Sequence, residues 1–223
     1  MDIVKPRPSF VVLLCALLGI VLAALPMRSA NAHPHAWIDI TVQVLFDGTS
    51  QATGLRERWV FDEYYTAYAL GGLGKDADAT AVQAKIDAIL QDNMKGLEAY
   101  AYFTTVEQEG RAVEFAPVTE MSSTQLDGRL EMTFVVRFRA ALDIAGSPLT
   151  YSIFDPTYYI EMLHAESDGA VRLEAAPAGC SHRLIKPTPT FEAVSLAAAL
   201  DRTQTAADGL GAVFAERVEV QCP

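Results

Sequence analysis

The stretch "AWIDITVQVLF", residues 36–46, decides the fold. Ala36, Ile38, Ile40, Val42, Val44 and Phe46 fall on one side of an extended chain. His35, Trp37, Asp39, Thr41, Gln43 and Leu45 fall on the other. Alternation with an apolar row predicts a half-buried strand. Asp47-Gly48 then signals a turn, and "LRERWVF", residues 55–61, reads as the returning strand. The same pattern recurs downstream. "AYFTTVEQ" and "AVEFAPV" flank Glu109-Gly110, "EMSSTQL" and "RLEMTFVVRFRAAL" flank Asp127-Gly128, and "TYYIEMLHA" and "AVRLEAA" flank Ser167-Asp168-Gly169. Each predicts a hairpin, and "LTYSIF" adds another strand.

Helical signals are fewer. Asp62 is placed to cap a helix beginning in "DEYYTAYAL". "AVQAKIDAILQDNM" carries Val82, Ile86, Ile89 and Leu90 at helical spacing. "FEAVSLAAALDR" follows the stiff "PTPT", and "AVFAERVEVQC" reads as a short helix or strand. The expectation is an α+β fold, predominantly antiparallel β and sandwich-like, with inserted helices.

Upstream, Lys5 and Arg7 precede an unbroken apolar run, Phe10–Leu25, which Pro26 ends; Ala30-Asn31-Ala32 fits a small-x-small cleavage site. This predicts a cleavable signal peptide over residues 1–32. The run falls short of the roughly 20 residues that span a bilayer, so no stable membrane insertion is expected after cleavage. Leu14 before Cys15 argues against a lipoprotein. The mature chain, residues 33–223, is long enough for one domain with a proper core. Removing Lys5, Arg7, Arg28 and Asp2 takes the formal charge from −11 to −13. Such a surface repels phosphate backbones, which excludes nucleic acid, and favours cations. Cys180 and Cys222 remain. Export favours their pairing over a two-thiolate metal site, and no CxxC spacing is present.

The segment "RSANAHPHAW" holds two of the four histidines, His33 and His35. Residues two apart on a strand face the same way, so both imidazoles can reach one metal ion. Cleavage after Ala32 would add the α-amine of His33 as a third donor. Pro34 lacks an N–H, which excludes the amino-terminal copper geometry that uses a deprotonated amide at position two. A terminal-histidine chelate stays allowed, and the alternative is a plain solvated terminus. Histidine suits Zn, Ni, Co and Cu.

Asp62 and Glu63 follow a strand in "WVFDEYY", and Asp155 opens "FDPTYY". Their ordinary readings are a helix cap, a first-turn acid and a turn starter. They would complete a metal site where the fold brings them near. His164 alternates with Ile160 and Met162 and reads as a buried or edge histidine. His182 sits beside Cys180. The chain has no G-x-S-x-G, P-loop, GxGxxG or HExxH, so the motif case for an enzyme is poor.

The ordered segments "AHPHAWIDITVQVLFD", "RWVFDEYY", "FDPTYYI" and "FAERVEVQCP" resemble the DUF1007 family across the mature chain. Its motif positions here are His33, His35, Asp39, Trp59, Asp62, Glu63, Asp155 and Tyr158. The resemblance implies a periplasmic component of an uncharacterised ABC-type transport system, often beside nickel/cobalt-type exporters of the inner membrane. Many members carry a calcium-like loop after the FDE motif. Here "GGLGKDADATAVQAKID" has Asp76 and Asp78 but not the required ligand order, so calcium is not expected. The leading expectation is therefore a periplasmic accessory protein binding a divalent transition metal for an inner-membrane metal transporter or permease, with His33, His35, Asp62, Glu63 and Asp155 as candidate ligands. The alternatives are a copper-dependent redox enzyme, needing a further imidazole from His164 or His182, and a metal-free interaction domain.

Overall fold

The computed structural model describes residues 35–73, 77–200 and 209–223. The signal segment, His33, Asp76 and the last two residues of "FEAVSLAAALDR" lie outside these described residues.

β1 (Ala36–Phe46) forms over the alternating stretch, and its Ala36-to-Phe46 row is buried throughout. β2 (Gln51–Phe61) returns antiparallel to it. Asp62 then caps α1 (Glu63–Ala69), and Asp78 caps the longer α2 (Ala79–Leu97). The helical spacing puts Ile86, Leu90 and Met94 into the core, with Val82 and Ile89 partly buried beside them. Each such side chain contributes about 1.5–3 kcal/mol. α2 is also tied to β5 (Met121–Leu126): the Gln83 amide donates to the Ser123 carbonyl at 3.0 Å.

A 3-10 segment, Glu98–Phe103, leads into β3 (Thr104–Gln108) and the two-residue β4 (Arg111–Ala112). β6 (Arg129–Asp143) pairs with β5 across the expected Asp127-Gly128 turn, whose φ values of 50° and 81° suit that dipeptide. β7 (Leu149–Ile153), β8 (Ile160–His164), β9 (Val171–Glu174) and β10 (Ser181–Ile185) follow. The chain then runs through α3 (Phe191–Ala199) and α4 (Leu210–Phe214) to β11 (Arg217–Gln221). "AVFAERVEVQC" is thus a helix and then a strand.

One sheet runs β5-β6-β2-β1-β8, with β9 also on β1; the other runs β10-β11-β7-β3-β4. Their inner rows, Val42 and Trp59 on one side and Tyr151 and Val218 on the other, belong to one buried cluster. Where β2 meets β6, the register shifts between Ala52 and Gly54. A Cβ on Gly54 would lie 2.5 Å from the Val136 carbonyl, so only glycine permits that approach. Cys180 and Cys222 form the expected disulfide, 42 positions apart, beside the β10–β11 pair. Among the described residues no helix is long and apolar enough to cross a membrane.

Two expectations are corrected. β8 and β9 are not a hairpin: both lie parallel to β1, at positions 36–40 and 42–45 respectively. The Ser-Asp-Gly turn is satisfied locally, with Ser167 N–H donating to the Ala165 carbonyl at 2.7 Å and Ala170 N–H to the Ser167 carbonyl at 3.1 Å. Ala165 N–H still donates to the Ile40 carbonyl, and Val42 N–H to the Ala170 carbonyl. The turn is therefore a detour in one path along β1, and the chain does not reverse.

The second correction concerns "AYF", which is not strand. Ala101, Tyr102 and Phe103 have φ of 51°, 57° and 57°. Left-handed conformation costs an L-residue about 1–2 kcal/mol. Burial of Tyr102 and a 2.9 Å hydrogen bond from Phe154 N–H to the Phe103 carbonyl act against that cost. Of "AVEFAPV", only Ala112, the second residue of β4, and Phe115, in an isolated bridge to Phe138, pair as β structure.

Candidate functional site

The motif residues gather where β1 begins. His35 N–H donates to the Tyr159 carbonyl at 2.9 Å, and the two rings lie 4.6 Å apart. Two residues on, Trp37 N–H donates to Asp62 Oδ2 at 2.8 Å, and Asp62 N–H returns a bond to the Trp37 carbonyl at 3.0 Å. Asp62 Oδ1 accepts Tyr65 N–H at 2.8 Å. One carboxylate therefore caps α1 and pins the start of β1.

On the other flank Asp155 holds its own turn and the start of β8. Its Oδ1 accepts the Thr157 N–H and hydroxyl at 2.9 and 2.8 Å, and its Oδ2 accepts Ile160 N–H at 3.0 Å. Ile160 opens β8 opposite Ala36. The loop has no slack: a Cβ on Gly211 would fall 1.8 Å from the Asp155 carbonyl oxygen. Tyr158 is buried at φ 57° and stacks on Phe214 at 4.0 Å; its hydroxyl donates to Glu161 Oε1 at 3.0 Å. Burial first, and then the Glu161 charge, push its phenol above the usual range.

The fold thus brings His35, Asp62 and Asp155 to one end of the first sheet. The two carboxylates accept backbone N–H groups there, Asp62 from Trp37 of β1 and Asp155 from Ile160 of β8. Glu63 is exposed in the first turn of α1, where a small cavity of about 280 Å³ is lined by Trp37, Asp62, Glu63, Tyr64 and Arg129. Arg129 is itself ion-paired to Asp39 at 2.8 Å. Among the described residues, no three His, Cys, Asp or Glu side chains are grouped to hold a metal ion. His33, the other half of the pair, lies outside the described residues. The carboxylates of Asp62 and Asp155 are engaged by backbone N–H groups.

His182 is exposed on β10. His164 is buried, with both ring nitrogens engaged. Its Nδ1 lies 2.8 Å from Glu216 Oε2, which also accepts His164 backbone N–H at 2.7 Å, and its Nε2 lies 3.2 Å from the Tyr151 hydroxyl. Burial alone would raise Glu216, but the His164 hydrogen bonds outweigh it and hold the carboxyl below its usual range. Burial, then the charges of Glu57 and Glu216, drive the Tyr151 phenol well above its usual value.

Glu57 is the acid that sequence reasoning missed. It is fully buried, its Oε1 accepting the Thr104 hydroxyl at 2.8 Å and its Oε2 the Trp59 indole N–H at 3.0 Å. Desolvation pushes it up to about 8 against those two bonds. The signal was available, since Glu57 shares the inward row with Leu55, Trp59 and Phe61.

No curated protein matches the chain significantly. A solved structure described as AChBP from Bulinus truncatus overlaps 92% of this chain and 95% of its own at 10% identity, with a TM-score of 0.37. That score does not establish a common fold. The family model described as "Protein of unknown function (DUF1007)" matches residues 18–222, so the chain belongs to the DUF1007 family.

Proposed function

We propose that the chain is a periplasmic accessory protein that binds a divalent transition metal at the start of β1 for an inner-membrane metal transporter. His33, through ring and α-amine, and His35 are the ligands. Asp62 holds the strand that presents them, and Asp155 holds the neighbouring β8. The observation that carries this reading is the hold on the strand end: Asp62 accepts Trp37 N–H directly, and His35 N–H is bonded to the carbonyl of Tyr159, in the loop that Asp155 ties to the start of β8. A ligand on a rigid strand end loses little entropy on binding metal. The i, i+2 spacing and the acidic chain agree with it. Both ring nitrogens of His164 are engaged in the core, which favours this reading over copper redox chemistry with His164 as a third imidazole.

Calorimetry with Zn, Ni, Co and Cu on the exported, processed protein tests the proposal, with intact mass establishing that His33 is the first residue. Saturable binding of at least one metal is expected, weakening below about pH 6 as imidazoles protonate. Affinity unchanged in the His33→Ala, His35→Ala double variant refutes it.

A further inference from the structure

α2 and the left-handed turn enclose a second space beside β1 and β2. It is a cavity of about 310 Å³ walled by Trp59, Phe61, Tyr65, Tyr100 and Phe103. Trp59 and Phe103 lie nearly parallel, 11° apart with centroids separated by 6.4 Å, and Tyr100 leans on Phe103 at 6.0 Å. Phe61 and Tyr65 stack at 4.7 Å. The polar side chains in the lining are Asp92 and Asn93, with no lysine or arginine.

Three observations constrain the occupant. Aromatic faces carry negative electrostatic potential and attract a cation. The charged group in the wall is a carboxylate, in a chain of formal charge −11. The Trp59 indole N–H is already bonded to Glu57, so it offers the cavity no donor. The backbone points the same way. The chain adopts three successive left-handed residues at the point where Tyr100 and Phe103 enter the wall. Strain held at a cavity rim is characteristic of ligand clamps.

We propose that this cavity binds a small organic cation, an alkyl-substituted ammonium, between the aromatic faces and Asp92. The lining contains no histidine, and metal binding bears on neither the success nor the failure of this proposal.

The test uses (2-hydroxyethyl)trimethylammonium and its neutral isostere 3,3-dimethylbutan-1-ol. Both are titrated into the mature protein carrying Trp37→Phe, so that Trp59 alone reports by fluorescence. The ammonium is expected to bind about tenfold or more tighter than the alcohol, since several rings contribute. Tyr100 is 60% exposed and Asp92 is on the surface, so neither substitution threatens folding. Tyr100→Ala is expected to weaken the ammonium about fivefold, and Asp92→Asn to weaken it as well, with the alcohol little changed. Equal affinity for the two probes, no saturable signal from either, or discrimination that survives both substitutions overturns the proposal.

Discussion

Replacing Glu57 with glutamine should make the protein more stable at neutral and alkaline pH, although it alters a fully buried hydrogen-bonded residue. The folded carboxyl is raised to about 8, against 4.5 when exposed to water in the unfolded chain. Between those values the folded protein keeps a proton that the unfolded chain has released. Stability therefore falls by about 1.4 kcal/mol per pH unit across the window, reaching about 3 kcal/mol by pH 7 and about 4 by pH 8. Glutamine is neutral at every pH and carries no such loss. It also preserves the bonds: its oxygen can accept the Trp59 indole N–H while its amide donates to Thr104. The Thr104 hydroxyl still has the Tyr102 carbonyl, 3.0 Å away, as acceptor. Urea melts of both proteins from pH 5 to 9 read the difference. Glu216, held low, loses its contribution only as pH falls below this window, and Tyr151, held high, titrates above it. The gap between Glu57→Gln and wild type should be near zero or slightly unfavourable at pH 5 and widen steadily to pH 8. A gap that does not change with pH refutes the burial argument.

Two further outcomes follow from other parts of the fold. Cys222→Ser, or reduction of the disulfide, should lower stability by about 4 kcal/mol, the chain-entropy value for a loop closed across 42 positions, read as a drop in the urea midpoint. Ala101→Gly should raise stability by about 1 kcal/mol, because relief at φ 51° exceeds the added freedom of the unfolded chain. A thermal midpoint that rises by about 2–4 °C agrees with this, and one that falls contradicts it.

The β1 alternation and the Asp127-Gly128 hairpin were legible because each depends on neighbours in sequence. The Asp62 cap was legible too, since a cap bonds within its own helix turn. The failures have the opposite character. Ser167-Asp168-Gly169 carries the same turn chemistry whether the chain reverses or makes a detour. The outcome depends on a strand more than 120 positions away. The Ala101–Phe103 turn contains no glycine to announce it. Its cost is met by tertiary packing of Tyr102 that no local window contains. At the site, the ordinary readings of Asp62 and Asp155 held. Their convergence on one strand end was invisible, because it requires β8 to find β1. His164 was recognisable as buried, but its partner Glu216 lies 52 positions later.

The two edges of β1 are closed by very different lengths of chain. The β2 edge is reached through a four-residue turn, whereas the β8 edge joins Ala36 to Ile160 across 124 positions. On loop-closure scaling the second costs about 3 kcal/mol more chain entropy than the first. Breathing motions should therefore open the sheet from the β8 side, leaving the β1–β2 hairpin paired. The bond released first on that side is the one from His35 N–H to Tyr159, while the two Trp37–Asp62 bonds on the β2 side keep the strand end in place. Amide exchange at His35 that is slower than at β1 amides bonded to β2 would contradict that picture.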